Sequence, residues 1–204
     1  MSTILRISSS ILGPNSASAL LTEELLQALK ASDNALKIIE RNFSQAPIPH
    51  VDEQWLGALS TPQEARSPQQ KTMVAFSDEL IAEVVEADTL IIALPMYNFT
   101  VPSMLKAWID HVARAGVTFA YTEQGPKGLL TGKKVYLVAT MGGVHEAGVS
   151  DFIRPYMKLV MGFLGLADVE VITASGLNLG QEPKQAGLRS AREQIAGLTA
   201  KVAA

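Results

Sequence analysis

The stretch that most constrains this chain is residues 89–100, TLIIALPMYNFT. It carries five consecutive apolar residues, Leu90-Ile91-Ile92-Ala93-Leu94, and so has no polar side for a solvated face. A strand of that composition is buried on both faces, which a parallel sheet covered by helices provides. The run stops at Pro95 and presents Met96-Tyr97-Asn98-Phe99. Pro102 then opens a helical pattern, SMLKAWIDHVARAG. Strand, polar-aromatic loop and helix start are the unit that holds ligands at the carboxyl end of a central strand in an open parallel sheet.

The rest of the chain repeats that alternation. A first strand is expected at Thr3–Ser8 and a helix over 19–31, with Leu20, Leu21, Leu25, Leu26 and Leu29 at helical spacing. A short strand follows at 35–40. Residues 42–68 read as an irregular insertion, with prolines at 47, 49, 62 and 68, in which Trp55 and Leu56 either pack at a subunit contact or rim a pocket. Ser67-Pro68 starts a helix that runs to about Ala87. Beyond the helix of residues 102–115, residues 117–128 suggest a small hairpin or lid. A strand at 135–140, a helix over 151–165, a strand at 169–174 and a closing helix over 183–202 complete the pattern.

Strands alternating with helices imply a parallel sheet with helices on both faces, and five strands favour the order 2-1-3-4-5. The expected fold class is therefore α/β: a flavodoxin-like three-layer α/β/α sandwich, one domain over residues 1–204. Its switch point, between the first and third strands, gathers three loops at one edge. These are the serine-rich turn after the first strand, the MYNF loop, and Thr140-Met141-Gly142-Gly143.

Composition narrows the chemistry. The chain has 204 residues, 48% of them apolar and 18% charged, as in a globular protein with a large core. A net charge of −3 gives no electrostatic reason to expect nucleic acid or an anionic membrane as partner. With no cysteine, disulfides, thiolate catalysis and iron–sulfur clusters are excluded. No metal-ligand spacing links the three histidines, no GxSxG elbow occurs, and neither GxGxxG nor the P-loop pattern is present. The amino terminus lacks a basic-then-apolar leader and no apolar run reaches membrane-spanning length, so a cytoplasmic protein is expected.

Residues 8–18 hold five serines in eleven positions. One serine there is an ordinary helix cap; five suit a phosphate at a helix start. Hydroxyls at one end of a site, with aromatics and free main-chain N–H groups at the other, match the needs of a flavin mononucleotide. The cofactor then carries the redox chemistry and few catalytic side chains are required. For Gly142-Gly143 a plain turn competes with close backbone approach to a ring. Trp108, at helical spacing, reads as core or subunit interface.

Pro95-Met96-Tyr97-Asn98-Phe99, Leu105-Lys106, the block Ala113-Arg114-Ala115-Gly116-Val117-Thr118-Phe119 and Gly142-Gly143-Val144-His145 together resemble the FMN-dependent NADH azoreductases, within the wider quinone reductase group of flavodoxin-like enzymes. The resemblance runs over essentially the whole chain. It implies that Ser10, Ser16 and Ser18, with the Ala17 backbone, hold the FMN phosphate. Met96, Tyr97, Asn98 and Phe99 would embrace the isoalloxazine, and Thr140, Met141, Gly142 and Gly143 would border its pyrimidine side. His145 would hydrogen-bond FMN, donate a proton to substrate, or face solvent. The resemblance also implies a homodimer in which Phe119 and Tyr121, with Phe163, wall the substrate space of the other subunit.

The implied activity is reduction of quinones and cleavage of azo compounds by NADH or NADPH in a ping-pong cycle. A flavodoxin-like electron carrier and a flavin reductase are the alternatives. Two departures stand out. Related sequences often carry Ser-Arg-Gly-Gly where this chain has Thr140-Met141-Gly142-Gly143, and the segment 56–67, where a relative offers basic residues for the nicotinamide dinucleotide, has only Arg66.

Overall fold

The computed structural model describes residues 2–32 and 35–202. In chain order the first elements are β1 (Thr3–Ser8), α1 (Ala17–Ser32), β2 (Lys37–Asn42), α2 (Glu53–Ser60), α3 (Pro68–Glu86), β3 (Thr89–Pro95) and α4 (Ser103–Val112). They are followed by β4 (Phe119–Thr122), β5 (Gly125–Gly128), β6 (Lys134–Thr140), α5 (Ile153–Leu164), β7 (Asp168–Ala174) and α6 (Gln181–Val202). β1, β2, β3, β6 and β7 form one parallel sheet in the order β2-β1-β3-β6-β7, which is the 2-1-3-4-5 arrangement expected from the sequence.

β3 is central and every residue after Thr89 is buried. Its side chains alternate between two apolar clusters. Leu90, Ile92 and Leu94 pack with residues of α3, α4 and α5, among them Leu80, Trp108 and Met157. Ile91 points the other way, into a cluster with Leu21, Leu25 and Leu26 of α1 and Ala191 and Ile195 of α6. The all-apolar run is thus accounted for: both faces of this strand are covered by helices. Trp108 belongs to the core, fully buried.

Strand register aligns the ligand-bearing ends. Pro95 pairs with Thr140, and Thr140 with Ala174, so β3, β6 and β7 finish at one level and their loops emerge side by side. α3 starts as expected, with Ser67 accepting from the Gln70 amide while the Gln70 side chain accepts from the Ser67 amide.

The segment read as an irregular insertion is more ordered than that. It contains α2 and a short 3₁₀ turn at Gln63–Ala65. Asp52 caps α2 by accepting from the Trp55 amide at 2.8 Å. Two turns with Ala58 as the buried residue are too short for an apolar period to show in the sequence. The first helix likewise starts at Ala17, two residues before the expected start at Ala19.

Residues 117–128 do form a hairpin. β4 and β5 pair antiparallel from Phe119↔Gly128 to Thr122↔Gly125. Its root lies against the end of α5, where a Cβ on Gly128 would sit 2.0 Å from the Gly165 nitrogen. Only glycine allows that approach.

His111 is a structural group. Its Nε2 donates to the Pro49 carbonyl at 3.0 Å, Trp55 and Phe76 meet its ring edge-on, and burial holds its pKa below 6.5. An imidazole kept neutral in the fold binds its proton more readily when unfolded. Stability is therefore complete above pH 6.5 and falls as pH drops below it. Urea midpoints for the parent are expected to decline between pH 6.5 and pH 5 more steeply than those of His111→Gln; parallel declines would refute the assignment.

Candidate functional site

A cavity of about 250 Å³ opens at the carboxyl ends of the central strands. Ser10 and residues 15–18 follow β1, Met96 and Tyr97 follow β3, Met141 and Gly142 follow β6, and Leu177 and Asn178 follow β7. Four loops distant in sequence meet because their strands end in register. The location is the crevice beside the switch point between β1 and β3.

The serine-rich end is built around the start of α1. The Ser16 hydroxyl accepts from the Ala19 amide at 3.1 Å and donates to the Gly13 carbonyl at 2.9 Å, so it is the helix cap and its one proton is already placed. Ser18, fully buried, lies 3.3 Å from Ser16 between hydroxyl oxygens. The Ala17 and Ser18 amides precede the first intrahelical hydrogen bond and point outward as donors. Ser9 is spent elsewhere, donating to the Ala93 carbonyl at 2.6 Å. The Ser10 hydroxyl lies 2.8 Å from the Tyr97 hydroxyl, which also accepts from the Ile11 amide at 3.2 Å. That pair ties the serine loop to the MYNF loop.

The MYNF loop is a tight reversal. Tyr97 and Thr100 exchange two backbone hydrogen bonds, at 2.9 and 3.1 Å, and between them Asn98 and Phe99 have φ of 50° and 68°. Two consecutive positive φ values make a turn of the I′ class, rare for any residue but glycine and asparagine. Strain of this kind is retained where it places something, and here it leaves Asn98 and Phe99 exposed directly after the cavity-lining Met96 and Tyr97. Asn98→Gly is expected to keep the parent's melting temperature. Asn98→Val, whose branched Cβ resists φ of 50°, is expected to lose about 1–2 kcal/mol and to weaken flavin uptake in the same preparation. Equal stabilities would contradict this account of the turn.

Of the residues named from sequence, Ser10, Ser16, Ala17, Ser18, Met96, Tyr97, Thr140, Met141 and Gly142 line the cavity. Asn98, Phe99, Gly143 and His145 do not line it; Asn98 instead lines a neighbouring pocket of about 490 Å³ with Tyr97, Thr100 and Tyr156, and the Phe99 and His145 rings meet edge to face at 5.8 Å. Gly143 gives His145 its place, since a Cβ there would sit 3.0 Å from the imidazole Nε2. His145 Nδ1 lies 3.2 Å from the Ser150 hydroxyl.

Phe119, Tyr121 and Phe163 form a cluster of their own, with ring separations of 5.4 Å and 4.4 Å from Phe119. They are brought together, but not at this chain's cavity. Phe119 instead borders a groove of about 680 Å³ with Trp55, Leu56 and Arg66. Sequence reasoning missed Asn178 and Lys184, which complete the cavity wall beyond β7. The available signal was the strand order, which brings the loop after the last strand beside Thr140.

The donor set fits FMN. One end offers hydroxyls and helix-start amides with no carboxylate among the lining residues, which suits a phosphate dianion. The other offers the flat apolar surfaces of Pro95, Met96, Met141 and Leu177.

Comparison with known proteins agrees with this geometry. The family model described as flavodoxin-like fold matches residues 2–198. The FMN-dependent NADH:quinone oxidoreductase of Vibrio vulnificus (strain YJ016) is 48% identical over 200 residues, covering 98% of this chain and 100% of its own. The FMN-dependent NADH:quinone oxidoreductase 2 of Pseudomonas fluorescens is 44% identical, covering 96% and 98% respectively. Among solved structures, the azoreductase from Bacillus anthracis str. Sterne superposes with a TM-score of 0.89 at 25% identity, covering 98% of this chain and 100% of its own.

Proposed function

We propose that this chain, which belongs to the flavodoxin-like fold family, is an FMN-dependent NADH:quinone oxidoreductase that also reduces azo compounds. The observation that carries the reading is the single cavity in which the uncharged donors of the β1–α1 loop face the apolar walls of the β3, β6 and β7 loops. Full-length similarity to enzymes of that name supports it. The two apolar clusters, one on each side of the sheet, support a three-layer α/β/α sandwich in a single domain.

When bound, FMN supplies the two-electron chemistry, accepting hydride equivalents from a nicotinamide and passing electrons to a flat acceptor. The chain's own residues bind and orient. The Ala17 and Ser18 amides and the Ser10 and Ser18 hydroxyls hold the phosphate. Met96, Tyr97 and Met141 pack on the ring, and the Asn98 amide and the glycine backbone at 142–143 address its polar edge. Donor and acceptor use one slot in turn, a ping-pong cycle. His145, in edge-to-face contact with Phe99, would move a proton to the reduced acceptor.

Arg66 does not decide the choice of donor. Its Nε donates to the Ala58 and Thr61 carbonyls, both at 3.1 Å, so this arginine serves the end of α2. Both bonds use Nε alone and leave the guanidinium charge in the groove that Arg66 lines, so this residue does not exclude a 2′-phosphate; the support for NADH as donor is the similarity to full-length enzymes named for it. The aromatic cluster supports a homodimer: Phe119, Tyr121 and Phe163 lie away from their own cavity, where they would serve the other subunit's substrate slot.

Purified protein is expected to be yellow and to release FMN on denaturation. Under anaerobic conditions NADH should bleach it faster than NADPH, and either a quinone or an azo dye should restore the colour. Parallel initial-rate lines on varying NADH at several quinone concentrations would support the ping-pong order. A colourless protein that fails to bind added FMN would sink the proposal. Reoxidation that requires a partner protein would favour an electron carrier instead.

A further inference from the structure

We propose that Lys184 is an additional phosphate-binding residue, giving this site a cationic arm that its serine loop lacks. The inference rests on the FMN reading above. Lys184 is the one charged side chain among the described residues lining the cavity; the others are hydroxyl, amide or apolar. It sits in the first turns of α6, whose amide start disfavours a cation. No carboxylate compensates, since Lys184 pairs with none among the described residues. Glu182, in the same turn, does not line the cavity.

The packing of α6 on α1 decides where the ammonium goes. Both helices cover the same side of the sheet, with Leu21, Leu25, Ala191 and Ile195 in one cluster. Their register is marked by Arg192, whose guanidinium donates to the Glu24 carboxylate at 2.9 Å. Both helices start at the carboxyl edge of the sheet and run the same way. Eight residues back from Glu24 is Ser16, the cap of α1; eight residues back from Arg192 is Lys184. At 1.5 Å per residue the two positions are equally far from the ion pair, about 12 Å. Lys184 therefore stands abreast of Ser16 and the free amides of Ala17 and Ser18, and its four-carbon stem reaches a dianion seated on them. The serine loop alone neutralises no charge; Lys184 supplies it.

The test is binding to flavin-free protein, followed by quenching of flavin fluorescence, with FMN and riboflavin as paired probes differing only in the phosphate. Lys184→Gln is expected to weaken FMN about fivefold, the scale of a solvent-accessible ion pair, and to leave riboflavin unchanged. Lys184→Arg should restore most of the loss, and added salt should narrow the gap between parent and Lys184→Gln. FMN and riboflavin weakening together would make the lysine structural and overturn the proposal. So would unchanged FMN affinity with a raised KM for NADH, which would assign the lysine to the electron donor. A parent protein that takes up neither flavin overturns the cofactor reading itself. A parent that prefers FMN, with Lys184→Gln keeping the same preference, overturns the role of the lysine alone.

Discussion

Ala17→Asp is expected to abolish useful FMN binding while leaving the fold as stable as before. Ala17 is the first residue of α1, directly after its Ser16 cap, and its backbone lies where the phosphate is held. An acidic side chain at that position suits the helix by itself, because the amide end attracts negative charge. It therefore competes for the same donors and repels the dianion. Two unit charges 4 Å apart at an effective dielectric of 20 interact by about 4 kcal/mol. With solvent screening at the cavity mouth, FMN affinity should drop roughly a hundredfold or more, while riboflavin is only mildly affected. The measurement is the same paired titration, run with a thermal melt of the flavin-free protein. An Ala17→Asp protein that retains FMN within a few-fold of the parent would show that the phosphate sits elsewhere.

The second large effect concerns the core. Trp108 is fully buried on α4 and packs in the cluster beneath β3, and its Nε1 is buried with no hydrogen-bond partner among the described residues. Trp108→Ala removes the whole indole from that cluster and should lower stability by about 3–5 kcal/mol. Trp108→Phe also leaves space, but it removes the orphan N–H, whose burial unpaired costs on the order of 1–3 kcal/mol. The two terms oppose, so the phenylalanine variant should stay within about 1.5 kcal/mol of the parent. Chemical denaturation of the two variants separates these cases. A phenylalanine variant as unstable as the alanine one would mean that the indole N–H has a partner after all. Because α4 follows the MYNF loop, the alanine variant should also lose flavin, and the phenylalanine variant should not.

Much of this protein was legible in its residues. Leu90 to Leu94, short, partly β-branched and uninterrupted by any polar residue, reads as a strand covered on both faces; the alternation around it implies a parallel sheet; and that topology gathers the loops after β1, β3 and β6 at one edge. These are local signals, repeated often enough to agree. α2 escaped because two turns buried at Ala58 leave too little periodicity to see. The exposed positions of Asn98 and Phe99 escaped because they follow from a backbone with φ of 50° and 68°, and the place of His145 escaped because it depends on the contact of its ring with Phe99, from another loop. Nothing in Met-Tyr-Asn-Phe as a string announces that turn.

What the sequence determined by itself was the set of elements, their order and the chemical character of each loop, because these depend on neighbours within a few residues. Only the tertiary structure decided which side chains share the cavity. Pro95, Thr140 and Ala174 stand level because of strand register, and Lys184 stands beside Ser16 because α6 packs on α1 through Leu21, Leu25, Ala191 and Ile195, in the register that the Arg192–Glu24 pair marks. A contact between residues more than 160 positions apart has no local signature. It exists only once the packed sheet and its two covering helices have fixed the distances.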